Sequence, residues 1–294
     1  MKKIITALCL MASATCVAQW GPRRPQLQPA QNYDLKVGKV SMRIDAANGA
    51  RITSLKYDTT EVISQNPMPN MYGSTFWTSP QKEWNWPPVQ EHDILGYDVE
   101  QKDGLLTMTS KLSSKIPLRI RKQFATDEKD KSIIVTYTIT NEGQEPRKVA
   151  PWEITRVPAE GTIYFDAPLE SITPAGLMNF QKDDSYVHFD IDQADKQRKI
   201  NADGTGWLGY TNNGLLLLKR FQDLKADEPA PDEAEIQVYV HQGKVYVELE
   251  EQGAYTQLQP GQSLSWAVRW YLQPISNEKK QIKKIAKTKG STSN

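Results

Sequence analysis

From Val40 onward, apolar and polar residues alternate with a period of two, the repeat of a strand with one buried face. Val40-Ser41-Met42-Arg43-Ile44 sets the pattern, Asn48-Gly49 turns the chain, and Ile52, Leu55 and Tyr57 resume it. That is the signature of a hairpin. Comparable runs follow at 97–101, 105–112, 118–124, 132–140, 163–165, 207–211, 215–219, 236–241, 244–250 and 263–272. Turn pairs separate many of them: Asp103-Gly104, Glu142-Gly143, Asn213-Gly214, Gln242-Gly243 and Pro260-Gly261. Helical periodicity is confined to 277–289, where Ile282, Ile285 and Ala286 share a face and six Lys read as a solvated tail. So many short strands predict an all-β, mostly antiparallel sandwich, a fold that can run to about 250 residues as one domain. No repeat of fixed period points to a propeller.

The two ends differ from this body. Met1-Lys2-Lys3, the apolar run 4–14 and Cys16-Val17-Ala18 read as an export signal over 1–18, cleaved before Gln19. Periplasmic or secreted placement is expected. Acylation of Cys16 is the less favoured alternative, because Ser13 and Thr15 precede it. Residues 19–34 are Pro-rich and read as a linker, 35–273 as the sandwich, and 274–294 as a Lys-rich tail with a short helix.

The chain has 294 residues with 36 basic and 35 acidic side chains. That balance argues against nucleic acid, whose phosphates call for a basic excess. Removing 1–18 takes away Lys2 and Lys3 and both cysteines, Cys9 and Cys16. The remaining chain then has no thiol for a disulfide, a nucleophile or a metal site. With only three His, no metal or cofactor is expected, and no membrane span follows the leader. No Gly-rich phosphate loop, nucleophile elbow, HExxH or EF-hand loop is present.

Three segments carry candidate chemistry. The first is 72–88, YGSTFWTSPQKEWNWPP, read as an ordered loop holding Tyr72, Trp77, Gln81, Trp84 and Trp86. Flat aromatic faces stack on the C–H faces of sugar rings while amides and carboxylates take the hydroxyls, a mix typical of ligand pockets. The bland alternative is that the Trp residues plug one end of the sandwich. The second is KVYVELEEQ, 244–252, where Tyr246, Glu248 and Glu250 share one strand face. Two carboxylates on the face of a cleft push one pKa up and supply an acid or a base; on a solvated edge they do nothing. The third is APWEITRV, 150–157, with Glu153 and Arg156 on opposite faces of an apolar strand. His92, His188 and His241 read as surface residues.

In order along the chain, the NGARITSL hairpin, YGSTFWTSPQ, the TNEGQEP turn, APWEITRV and the VELEEQGAYTQLQPGQSLSWAVRWYL close resemble the galactose mutarotase-like β-supersandwich over about residues 35–272. The nearest likeness is to an exported branch common in Bacteroides-type bacteria. The resemblance implies a sugar cleft, a glutamate base on a late strand and one or two histidine acids. Glu248 stands ten residues before Leu258 of the Leu258-Gln259-Pro260-Gly261 turn, which matches the base, with Glu250 as its fallback. The histidine does not carry over, since Trp152-Glu153 occupies its place. Glu153 is therefore the candidate acid, provided it faces Glu248 across the cleft. Asn70-Met71-Tyr72 stands where hexose-phosphate epimerases carry a phosphate-binding Arg, which disfavours a phosphorylated sugar. Carbohydrate binding is the leading expectation. An aldose 1-epimerase-like isomerase and a partner-binding sandwich are the alternatives, and the oligomeric state stays open.

Overall fold

The computed structural model describes residues 27–287 apart from 66, 67, 69, 193 and 194. The expected leader, Cys9 and Cys16 lie outside the described residues, as does the start of the Pro-rich segment. The described end of that segment is tied down: Gln28 exchanges two hydrogen bonds with Asn48, and the strand Asn32–Val37 begins inside it.

Two ten-stranded antiparallel sheets make up the fold. The main path of the first runs Asn32–Val37, Val40–Asp45, Arg51–Tyr57, Ser74–Ser79, Arg147–Val157, Val247–Gln252, Ile236–Val240, Arg198–Ala202. The second runs Gln181–Asp183, Tyr186–Asp190, Thr162–Phe165, Trp207–Asn212, Leu215–Arg220, Ser263–Pro274, Ser132–Asn141, Leu118–Asp127, Leu105–Thr109, Asp98–Lys102. Their inner faces meet in one apolar core, where Phe76 of the first sheet stacks on Tyr137 of the second at 4.2 Å. The predicted all-β sandwich is what forms.

The expected hairpin is present, with Asn48-Gly49 in its turn. Gly49 has φ of +75°, and a Cβ there would meet the Asp93 carbonyl oxygen at 1.9 Å. Glycine is thus required twice over, by the left-handed backbone and by the close approach.

One expectation needs correcting. The aromatic segment 72–88 is not all loop, because Ser74–Ser79 is a central strand buried at every position. The strand lies between two others in the sheet and is covered on both faces, so it lacks the alternation that marks a half-exposed strand. Its partners are similar: every residue of Val247–Gln252 is buried, including Glu248, Glu250 and Glu251.

The Lys-rich tail forms a helix, Glu278–Lys287. Asn277 caps it, its Oδ1 accepting from the Lys280 N–H at 3.1 Å. Ile282, Ile285 and Ala286 dock against Tyr164, Tyr186, Trp207, Leu216 and Leu218 on the second sheet. The predicted apolar face is therefore used, and the Lys residues project from the other side. No described helix is long and apolar enough to cross a membrane.

Candidate functional site

The polar residues buried in the central strands of the first sheet are the informative anomaly, since charged side chains are rarely buried without a role or a partner. Strand alternation sorts them onto two faces.

On the inner face, Glu153 and Glu251 sit opposite each other in register and both meet Lys219 of the second sheet. Lys219 Nζ lies 2.5 Å from Glu153 Oε1, and the Tyr137 hydroxyl donates to Glu153 Oε2. All three charged groups are fully enclosed. Burial drives the Glu251 pKa well above its usual value, against the pull of Lys219. Glu153 therefore does not face Glu248 and has no access to a ligand. Its expected role as acid is corrected on this ground: residues 153 and 156 are three apart, and only Arg156 points the same way as Glu248.

On the outer face lies a cleft of about 750 Å³. Its floor crosses five adjacent strands, from Ser74–Ser79 to Arg198–Ala202, and supplies Trp77, Trp152, Lys199, Tyr239, Glu248 and Glu250. The connection after Ile236–Val240 adds His241 and Tyr246, and flanking loops add Met68, Met71, Gln81, Trp86 and Gln197. Tyr246, Glu248 and Glu250 share a wall, as the alternation of KVYVELEEQ requires.

Each carboxylate has a cationic neighbour. Glu248 Oε1 is 2.8 Å from the Arg156 guanidinium, which is wholly buried and lies over the Trp77 and Tyr246 rings. Arg156 is thus not a wall residue; it acts on the site through Glu248. Glu250 Oε2 accepts from Trp152 Nε1–H and from Lys199 Nζ, both at 2.9 Å. Burial pushes Glu250 up to about 7; Lys199 opposes the shift and nearby Glu248 adds to it. Near neutrality Glu250 is thus about half protonated, the state in which a carboxyl can donate as well as accept.

The three tryptophans of 72–88 divide the two roles left open by the sequence. Trp77 is the hub, edge-on to Trp84, Trp86 and Trp152 at 5.7, 6.0 and 5.4 Å. Its Nε1–H donates to Asp93 Oδ1 at 2.9 Å, which fixes the ring's orientation. Asp93 also accepts from Thr75 and pairs with Arg51; these contacts hold its pKa low although burial opposes them. Trp84 is the plug, 1% exposed, with its N–H on the Thr78 carbonyl. Trp86 is 46% exposed at the cleft mouth. Tyr72 is half-buried against the Arg51 guanidinium and does not line the cleft. Of the expected contacts, Trp77, Gln81, Trp86, Glu248 and Glu250 are brought together; Glu153, Tyr72, Trp84 and Arg156 are not on the wall.

Several wall residues escaped the sequence reading. His241, expected at the surface, is half-buried with its ring 4.9 Å from Tyr246. Lys199 sits in a strand of mixed polarity that gave no alternation signal; its Nζ lies 4.7 Å from the Trp152 ring centroid. His92, also expected at the surface, is 1% exposed. Its Nε2 meets the Leu118 carbonyl oxygen, and burial pulls its pKa down to about 4.

No family model matches the sequence, and no curated protein is significantly similar to it. Solved structures do match. A galactose mutarotase-like protein from Lactobacillus casei superposes with a TM-score of 0.57 at 14% identity, over 83% of this chain and all of that one. A candidate aldose 1-epimerase from Escherichia coli K12 gives 0.58 at 14%, over 84% and 100%. A TPR-domain containing protein from Parabacteroides distasonis gives 0.59 at 15%, over 84% of this chain and 48% of that one. At such identities the likeness carries the fold and not the activity. The protein has the galactose mutarotase-like β-sandwich fold.

Proposed function

We propose that the protein is an exported carbohydrate-binding protein that seats a pyranose ring in the outer-face cleft. The observation that carries this reading is the make-up of one wall. Trp77, 8% exposed, and the more exposed Trp86 offer apolar ring surface, while Glu248, Glu250, Lys199 and His241 offer charged and neutral hydrogen-bonding groups beside it. Sugars present the matching pair of surfaces, C–H faces and hydroxyl rims. A mixed wall without a dominant charge suits a neutral sugar. Export rests on the leader signals in 1–18, and intact-mass measurement of the secreted form tests it. A chain starting at Gln19 is expected; a retained Met1 or a lipid-modified Cys16 contradicts it.

A second reading, an aldose 1-epimerase-like isomerase, is favoured by the half-protonated Glu250 next to ion-paired Glu248. In that reaction Glu248 takes the proton of the anomeric hydroxyl while an acid protonates the ring oxygen. The bond from the anomeric carbon to the ring oxygen breaks and leaves an open-chain aldehyde. Rotation about the adjacent C–C bond and reclosure give the other anomer, with both protons returned. Glu250, in place of Glu153, supplies the acid here. Polarimetry of freshly dissolved α-glucose and α-galactose tests it. Accelerated mutarotation by wild type and its loss in Glu248→Gln support an isomerase. Sugar binding without acceleration leaves the binding reading alone.

A further inference from the structure

Resting on the sugar-binding reading above, we infer that the sugar ring lies across one cross-strand row of the cleft floor, over the ring of Tyr239, with one hydroxyl donating to Glu248 and another accepting from Lys199. Tyr239 and Lys199 are then specificity-determining residues of the site. Strand register sets the row. Glu248 stands opposite Tyr239 where Val247–Gln252 pairs with Ile236–Val240, and Tyr239 stands opposite Lys199 where Ile236–Val240 pairs with Arg198–Ala202. Residues in register on neighbouring strands project side by side from one face of a sheet. All three line the cleft. Arg156 extends the row on the far side of Glu248, which it faces in register on the next strand.

The three side chains differ in what they can offer. Glu248 is 12% exposed, and Arg156 meets only its Oε1, so the carboxylate keeps acceptor capacity for a ligand hydroxyl. Lys199 is 35% exposed. Its ammonium carries three N–H donors and no acceptor; one goes to Glu250 Oε2 at 2.9 Å, and two remain. Trp152 and Glu250, each 1% exposed, back the row and hold Lys199 in place, its Nζ 4.7 Å from the Trp152 ring centroid. Tyr239 is half-buried between them, with its hydroxyl on Gln197 Oε1 at 3.1 Å. Its ring abuts Tyr246 and His241, at centroid distances of 6.2 and 6.3 Å. With the hydroxyl engaged, Tyr239 presents ring surface to the cleft. Neighbouring strands lie about 4.8 Å apart, so Glu248 and Lys199 start about 10 Å apart at the backbone. That gap takes a pyranose lengthways. The ring is then read as a hydrogen-bond donor at one end and as an acceptor at the other.

Calorimetric titration of the folded protein tests this, first with glucose, galactose and mannose, then with the monodeoxy and monodeoxyfluoro derivatives of the tightest of them. Fluorine cannot donate a hydrogen bond but can accept a weak one. At the position facing Glu248, hydrogen and fluorine are both expected to weaken binding about tenfold or more, the usual loss for a hydrogen bond to a charged group. At the position facing Lys199, hydrogen is expected to cost more than fluorine, and Lys199→Met should abolish that difference while Lys199→Arg restores part of it. Tyr239→Ala should weaken the parent sugar more than Tyr239→Phe, which keeps the ring. Lys199→Met and Tyr239→Ala variants that fold and bind within twofold of wild type overturn the proposal and leave the sugar-binding reading standing. So does a wild type for which removal of any single hydroxyl costs less than twofold, a result that needs no variant to fold. No binding by any of the three sugars overturns both.

Discussion

At the scale of single residues, the site turns on two glutamates with the same side chain and different surroundings. Glu248 keeps 12% of its side chain exposed and pairs with Arg156. Glu250 is 1% exposed, shares Oε2 between Trp152 and Lys199, and is pushed up to about 7 chiefly by burial. The sequence placed both on one face and implied a raised pKa for one of them if that face lines a cleft, because period-two alternation and like-charge proximity are readable from residue types. It did not reveal that Glu250 is the one buried deeply enough to be raised, since that burial depends on strands brought together only in the fold.

A stability prediction follows from Glu250. Its folded pKa lies above the unfolded one, so between about pH 4.5 and 7 the folded protein holds a proton that the unfolded chain releases. This contribution to stability is complete at low pH and is lost as pH rises through 7. Each tenfold difference in proton affinity corresponds to about 1.4 kcal/mol. With Lys199 beside it opposing the shift, the loss is on the order of 1–3 kcal/mol. In Glu250→Gln, whose amide oxygen can still accept from Trp152 and Lys199, urea denaturation should show a shallower fall in stability from pH 5 to 8. An unchanged pH slope would mean that Glu250 titrates normally in the folded state.

At the scale of elements, legibility followed exposure. Strands with one wet face, such as Leu118–Asp127 and Ser263–Pro274, show the expected alternation and were found close to their true bounds. Ser74–Ser79 was read as loop because both its faces are covered, which erases the period-two pattern. The Pro residues that follow at 80, 87 and 88 reinforced that reading. The Glu278–Lys287 helix was legible because its apolar stripe and its Lys face are distinct. Its apolar stripe anchors it, with Ile282 fully buried against the second sheet, and Lys279 and Lys283 add ion pairs to Asp183 and Asp184. Ile282→Ala should cost about 2–4 kcal/mol in denaturant unfolding, the usual range for a large-to-small change in a core. A loss under about 0.5 kcal/mol, the size of an ordinary surface substitution, would show that the helix is not docked in solution. Gly49→Ala should also destabilise the protein, because the new Cβ would push the Asp93 carbonyl and with it the group that orients Trp77.

At the scale of the whole molecule, the architecture was legible and the cleft only partly. Many short strands punctuated by turn pairs leave few folds other than a large sandwich. The order of motifs pointed to the mutarotase-like type, and the superpositions bear that out for the fold. A cleft built across five strands draws on residues from Met68 to Glu250, and nothing local links Lys199 or His241 to Trp77. The two polar clusters also play different parts in the whole. The enclosed Glu153–Lys219–Glu251 group bridges the sheets, while Glu248 and Glu250 open onto the cleft.

The central claim is that this cleft is a carbohydrate site, and the most direct measurement is a tryptophan-fluorescence titration with a panel of neutral mono- and disaccharides. Trp77, Trp86 and Trp152 line the cleft and report on its occupancy. The account predicts a saturable change with at least one sugar, weakened about tenfold or more in a Glu248→Gln variant shown to be folded by its circular dichroism. A wild-type protein that unfolds cooperatively yet shows no saturable change with any sugar would contradict it.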